Sequence, residues 1–353
     1  MEPSLLSKLA VAFYCFTFGS FTWVWVTLLV GAYHHPSLVV PPIVAWLAYV
    51  LLVDYDARNT GWTPSCRNLS VWRHMRSYFS STELVMLGSN GRGSGSGGDA
   101  RPGPGPGPRP GREEDAGGSA GEHEEKPNLF LYHPHGVLAF GSWLAFGCNA
   151  LGMDDRLRKP PRLVTLNVNF FAPFLREFLL AHGVCSCAKR ALVGLLRRNE
   201  SVALVVGGGS ESLLSKQGTY DLVLRRRRGF AKVALETGCN LVPVVGFGET
   251  DAYSTWNDWK LVRAIQQRIE RTLGFTVPIA VGRGFFLPWG LLPHSCTLRV
   301  VTGRPVPVDK WTGGGGAKDE SYERAIEDVK RRYEAALLEV FAREGVNCVR
   351  IVE

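Results

Sequence analysis

Leu129 to Gly141 reads LFLYHPHGVLAFG. The apolar run Leu129–Tyr132 predicts a short buried strand, which stops at His133-Pro134-His135-Gly136. Pro134 fixes its own φ and pushes His133 towards extended geometry, and Gly136 supplies backbone freedom where the chain must turn. Apolar residues resume at Val137 and predict a helix. Two imidazoles therefore stand at a strand-to-helix turn, where α/β folds place ligands. They could serve as polar filling of a structural turn. They could equally supply a general base, because imidazole titrates near neutral pH and responds to its neighbours.

Downstream of this turn the pattern alternates. Strand-like runs fall at Arg162–Leu166, Val202–Val206, Leu241–Val245, Pro278–Val281 and Thr297–Thr302. Helical stretches lie between them at Pro173–Ala181, Lys189–Arg198, Gly229–Thr237 and Asn257–Leu273. A last helix, Asp319–Glu344, carries Tyr322, Ile326, Val329, Tyr333, Leu337 and Val340 as one packing stripe and meets Gly345 at its end. The fold class is α/β, layered, with the sheet between helices.

Two further stretches carry chemistry. In Val202–Leu213, VALVVGGGSESL, a strand runs into three glycines and then Glu211. No Gly-Lys-Ser/Thr follows, which excludes a P-loop, and Ser212 stands where a nucleophile elbow needs Gly. Glycines at a strand end admit a close ligand or backbone. Glu211 could orient a histidine by accepting its N–H, or could simply favour a helix start. The second stretch, Arg225–Glu249, sets four arginines before a helix that ends at Gly238, followed by a strand containing Pro243. Such a run is ordinarily a solvated face, but guanidinium forks also suit phosphates. No aromatic-interleaved basic patch accompanies it, so nucleic acid is not the expected partner.

The amino-terminal part has a different character. Leu9 to Val53 contains no Asp, Glu, Lys or Arg and is about twice the length needed to cross a bilayer once. Two apolar segments, Leu9–Val30 and Leu38–Val53, flank a turn at Gly31–Ser37, and tryptophans and tyrosines suit an interfacial belt. The reading is a membrane hairpin over 9–53, with residues 1–8 and the basic chain after Val53 on the cytosolic side. A cleaved signal peptide is disfavoured, because its apolar region would be too long and a second apolar segment follows at once. Residues 54–88 read as a membrane-proximal segment, within which 71–87 reads as a helix followed by a short extended piece. Residues 89–126 are rich in Gly, Pro, Ser and charge, and read as a disordered insertion. That leaves 127–353 as the catalytic body.

The eight cysteines show no CxxC and no regular framework, and Cys185-x-Cys187 lacks a second pair for zinc. They read as reduced thiols. The net charge is +8, and beside a membrane anchor the four-arginine run suits anionic lipid heads or a nucleotide-bearing acyl donor. Asn68-Leu69-Ser70 and Asn199-Glu200-Ser201 match the glycosylation acceptor pattern and are chance matches under a cytosolic orientation.

Taken together, YHPHG (132–136), VVGGGSESL (205–213), RRGFAKVALETGCNLVPVVGFGE (227–249), GRGFF (282–286), WGLLP (289–293) and VTGRPVPV (301–308) resemble the type-2 diacylglycerol acyltransferase family. That family also takes in monoacylglycerol acyltransferases and wax synthases. The resemblance covers most of the chain from Trp72 on, apart from the insertion. One departure is Ser80, which follows Tyr78-Phe79 where the family carries proline.

The resemblance implies a layered, glycerolipid-acyltransferase-like α/β domain with an N-terminal membrane hairpin. It implies transfer of a fatty acyl group from acyl-CoA to the hydroxyl of diacylglycerol, with monoacylglycerol or a fatty alcohol as alternative acceptors. The setting would be the endoplasmic reticulum membrane or lipid-droplet surface, with the catalytic domain facing the cytosol. No cofactor or metal is implied, acyl-CoA being a co-substrate, and homo-oligomerisation stays possible. His135 or His133 would take the acceptor's proton, and Glu211 would orient that imidazole. Backbone N–H groups at Gly136, Gly207, Gly208 and Gly209 would meet the oxyanion. Arg227, Arg228, Gly229, Phe230 and Lys232 would bind the nucleotide-bearing donor. A lipid esterase lacks its elbow motif here, and a non-catalytic membrane scaffold leaves the paired histidines unexplained.

Replacing residues 91–124 by a short Gly/Ser linker is expected to keep most of the acyl transfer measured in microsomes, because loop length adds little closure cost. Lost activity at unchanged protein level would give the insertion a role of its own.

Overall fold

The computed structural model describes residues 2–54, 56–87, 126–157, 159–257, 259–273, 278–313 and 319–352. The expected Gly/Pro-rich insertion lies outside these residues, apart from Lys126.

The chain begins with α1 (Leu5–His34) and α2 (Pro36–Ala48), the latter continued by a π-helical turn at Tyr49–Val53. Short helices α3 (Ala57–Thr60) and α4 (Ser70–Arg76) lead to β1 (Ser81–Met86). Then come β2 (Asn128–His133), α5 (Phe140–Ser142) with a π turn to Gly147, β3 (Arg162–Thr165), α6 (Leu175–Ala181), β4 (Cys185–Ser186) and α7 (Lys189–Arg197). They are followed by β5 (Val202–Val205), α8 (Gly208–Leu214), β6 (Tyr220–Val223), α9 (Gly229–Thr237) and β7 (Asn240–Phe247). The remainder is β8 (Ser254–Thr255), α10 (Lys260–Leu273), β9 (Ala280–Val281), β10 (Thr297–Thr302), α11 (Glu320–Arg343) and β11 (Val349–Val352).

Among the described residues, seven strands form one sheet in the order β1-β10-β7-β2-β5-β3-β4. Only the β10–β7 pair within it is antiparallel. The layered α/β expectation holds. β2 is central, with β5 on one side and β7 on the other. The chain leaves β2 towards one half of the sheet and later returns to fill the other. The carboxyl end of β2 is therefore a topological switch point, the place where open α/β sheets hold ligands. β6 and β11 form a separate parallel pair.

Alternation along β2 assigns its side chains to two cores. Phe130 and Tyr132 join the cluster that includes Tyr14, Phe140 and Trp143, while Leu129 and Leu131 join that of Phe230, Tyr333 and Leu337. Burial of each Phe-sized side chain contributes on the order of 2–3 kcal/mol. The helix expected from Val137 forms late. Ala139 is left-handed, and a single α turn passes into the π turn.

The amino-terminal helix differs from a simple membrane segment. Ser7, Ala10, Val11, Tyr14 and Thr17 are buried, a stripe at helical spacing that packs into the body. Leu9, Phe13 and Phe16, on the other face, are exposed. Both faces are largely apolar, so hydropathy alone cannot separate the packed from the unpacked side. The helix bends by 43° between Phe21 and Trp23. Among the described residues, Pro36–Val53 is long and apolar enough to cross a membrane, with mean hydropathy 2.0, and α1 counts as a second such segment only across its bend.

Deleting residues 1–34 is expected to lower the unfolding midpoint in detergent by about 10 °C or more, because it uncovers Phe140 and Trp143. An unchanged midpoint would make α1 an anchor alone.

Candidate active site

The two histidines fall on opposite sides of the turn. Strand alternation turns His133 away from Tyr132, into the layer of α11, where its ring centroid lies 6.4 Å from that of Tyr333. It is fully buried. Its Nδ1 stands 3.2 Å from Glu211 Oε1, and a carboxylate can only accept there, so Nδ1 carries the hydrogen. The His133–Pro134 peptide is cis. Gly136 follows with φ +59, a conformation that glycine adopts freely.

His135 is half-buried and lines a cavity of about 210 Å³. Its Nδ1 lies 3.1 Å from the Gly136 carbonyl oxygen and donates to it. That contact fixes the tautomer and leaves the Nε2 lone pair for an incoming proton. Burial among apolar walls holds the imidazole below its usual pKa, against the opposing pull of the Gly136 carbonyl and the Glu211 charge. A ring that is uncharged at neutral pH can act as a base.

Glu211 is buried at the start of α8 and uses both oxygens. Oε1 also accepts the Val223 N–H at 3.0 Å, and Oε2 accepts the His135 backbone N–H at 2.9 Å. The sequence left either histidine as the base, with Glu211 on its ring. Glu211 meets the ring of His133, and reaches the cavity histidine, His135, through its backbone. The reason is the pleat of β2, which aims the two rings apart. Gly207 makes room for this arrangement, since a Cβ there would sit 1.9 Å from Glu211 Cδ.

The glycines divide likewise. Gly208 and Gly209 line the cavity, whereas Gly136 and Gly207 lie against Glu249 and Glu211. Of the basic block, Arg227 donates to the Gly207 carbonyl at 3.0 Å and so braces the glycine turn. Arg228 instead pairs with Glu323 and Glu327 of α11. Phe230 packs on Tyr333, Gly229 is exposed at the start of α9, and Lys232 is half-buried. Among the described residues no cluster of three His, Cys, Asp or Glu side chains could hold a metal ion. The eight cysteines are free thiols.

Two contributors were not assigned from the sequence. Tyr14 and Phe18 of α1 form part of the cavity wall, and the Tyr14 hydroxyl donates to the Leu138 carbonyl at 2.8 Å. A tyrosine in an apolar helix ordinarily reads as an interfacial anchor, so no local signal marked it. Glu249 is the other. It is buried, its Oε2 accepts from the Tyr132 hydroxyl at 2.7 Å and from the Gly141 N–H at 2.8 Å, and its Oε1 accepts the Phe140 N–H at 2.8 Å. These bonds explain why α5 begins where it does. A usable signal existed in its position, a carboxylate just past a buried strand, as Glu211 follows β5.

Residues 120–347 match the family model described as diacylglycerol acyltransferase. Diacylglycerol O-acyltransferase 2A of Umbelopsis ramanniana is 34% identical over 336 residues, which cover 90% of this chain and 83% of that protein. Diacylglycerol O-acyltransferase 2 of Dictyostelium discoideum is 31% identical over 315 residues, 87% of this chain and 82% of that one. The crystal structure of the 1-acyl-sn-glycerophosphate (LPA) acyltransferase PlsC from Thermotoga maritima aligns over 93% of this chain and 95% of its own at 10% identity. Its TM-score of 0.35 is too low to carry an argument.

The surroundings of Glu249 set a pH dependence. Burial raises its pKa to about 7, against the hydroxyl of Tyr132 and the two N–H donors. A carboxyl raised on folding contributes stability that is full below the unfolded value and is lost as pH rises through the folded one. The span from 4.5 to about 7 corresponds to at most about 3 kcal/mol. Glu249→Gln cannot ionise, so wild type should lose stability relative to it between pH 5 and 8. Thermal unfolding of both proteins across that range is the check, and a constant gap would contradict it.

Proposed function

This chain belongs to the diacylglycerol acyltransferase family, and we propose that it esterifies the free hydroxyl of diacylglycerol with a fatty acyl group taken from acyl-CoA, with His135 as general base. The product is triacylglycerol. The observation that carries this mechanism is the cavity histidine itself, with Nδ1 held by the Gly136 carbonyl and the Nε2 lone pair left open.

His135 Nε2 takes the acceptor's proton as its oxygen attacks the thioester carbonyl. The tetrahedral oxyanion forms beside Gly208 and Gly209, whose N–H groups are the available donors on that wall. Collapse expels the CoA sulfur, which takes the proton from the imidazolium. Base catalysis supplies about 10²–10⁴-fold, and each oxyanion donor roughly 3 kcal/mol. Glu211, tied to the His135 N–H, fixes the backbone that carries the base and stabilises its cationic form through space. Arg227, held at the glycine turn by its bond to the Gly207 carbonyl, suits the donor's phosphates.

The apolar faces of α1 and α2 support a membrane arrangement. The two helices form the hairpin, with both chain ends on the cytosolic face of the endoplasmic reticulum or at a lipid-droplet surface. Exposed Leu38 and Leu52 on the second segment, and Phe16 and Trp23 on the first, support lipid contact. Tyr14 and Phe18 belong to a lipid-facing helix and to the cavity wall at once, so an apolar acceptor can enter sideways from the bilayer.

With radiolabelled oleoyl-CoA and diacylglycerol, His135→Ala microsomes should turn over about two to four orders of magnitude more slowly at unchanged protein level. Glu211→Gln should also slow turnover, because the amide presents N–H to donors that need an acceptor. Gly207→Ala should act in the same direction by displacing Glu211. Near-normal turnover by His135→Ala would place the base elsewhere, and esterification of another alcohol in its stead would correct the acceptor.

A further inference from the structure

Glu249 takes no part in that proton transfer, yet it accepts three hydrogen bonds beside the turn that carries the base. Its placement begins with Gly248, which is left-handed at φ +83, and where a Cβ would lie 1.9 Å from the Thr297 carbonyl oxygen. Only glycine fits that step. The chain leaves β7 there, and the Glu249 side chain runs back over the carboxyl end of β2.

The contacts it makes are all with the His turn or the strand below. Phe140 and Gly141, where the turn ends, donate their N–H groups to it. Tyr132, the last residue before His133, donates its hydroxyl. Gly136 rests directly on it, since a Cβ there would lie 2.7 Å from Glu249 Cγ and 3.1 Å from its carbonyl oxygen. Gly136 is also the residue whose carbonyl holds Nδ1 of His135. Tyr132 in turn is wedged between glycines: a Cβ on Gly246 would stand 1.9 Å from its hydroxyl, and one on Gly141 2.3 Å. The carboxylate, the hydroxyl and the three glycines thus form one block that sets where the Gly136 carbonyl sits.

We infer that Glu249, backed by Tyr132, is a positioning residue for the catalytic base: it fixes the segment from Gly136 to Gly141 and through it the orientation of the His135 ring. The inference rests on His135 being the base. A polar group that merely filled the core would affect folding alone. A positioning group lowers the chemical step while substrate binding and fold survive, and it has nothing left to act on once the base is gone.

The test compares Glu249→Ala and Glu249→Gln, each with and without His135→Ala, in purified full-length protein in detergent. Steady-state kinetics use oleoyl-CoA and diacylglycerol, and thermal unfolding reports the fold. Glu249→Ala is expected to lower kcat by roughly ten- to a hundredfold, with KM for acyl-CoA within about twofold of wild type. Glu249→Gln keeps the shape and one acceptor oxygen, and should recover part of that loss. In the His135→Ala background either substitution should cost less than about twofold more. A near-normal kcat in Glu249→Ala, or the same fractional loss in both backgrounds, overturns the inference and leaves the base assignment standing. A His135→Ala protein with near-normal turnover overturns both. Where Glu249→Ala does not accumulate, Glu249→Gln is judged by the same two comparisons.

Discussion

A carboxylate taken out of water must be met by donors, and Glu211 is met by three from two pieces of chain: the ring of His133 and the backbone of His135 in the His turn, and the end of β6 at Val223. The site depends on this meeting. Removing the carboxylate would leave the buried His133 ring and Val223 N–H without partners, each a penalty of about 1–3 kcal/mol, and release the His135 N–H as well. Val223 ends β6, and β6 is paired along its length with β11. The carboxyl terminus of the chain is therefore mechanically part of the His turn.

Elements with local cues were readable from the sequence. α9 runs from Gly229 to Thr237 as expected, with left-handed Gly238 closing it, and β10 spans Thr297–Thr302 without adjustment. α11 follows its apolar stripe and ends just before Gly345. What could not be read depends on partners distant in the chain. The β6–β11 pairing joins residues 129 apart, as between Asp221 and Arg350. The separate roles of His133 and His135 follow from strand alternation, but which face holds the cavity is decided by α1. The same holds for Glu249, whose chemistry appears only once β7 and β2 lie side by side.

The two faces of the first helix do different work. One face supplies Val11 and Tyr14 to the core, and the opposite face presents Leu9, Phe13 and Phe16 outward. Tyr14 latches the turn through Leu138 while Phe18 closes the cavity beside it. Cutting the chain between α2 and the sheet would therefore remove part of the core and part of the cavity wall together with the outward apolar face.

The pairing of β1 with β10 bears on how the chain is made. Ser81 lies opposite Thr297, so the outermost strand of the sheet waits for residues synthesised more than two hundred positions later. Contacts so remote in sequence slow folding, because a long loop must close before they reward it. A ribosome adding roughly 5–20 residues per second delivers β10 many seconds after α1 has emerged. By then the first partners of α1, at Trp72, Leu138 and Trp143, have long been made, so its inner face can begin to pack before the sheet is complete. Of the seven strands in the sheet, β1 is therefore the last to gain a neighbour, and the edge it forms is the last to close.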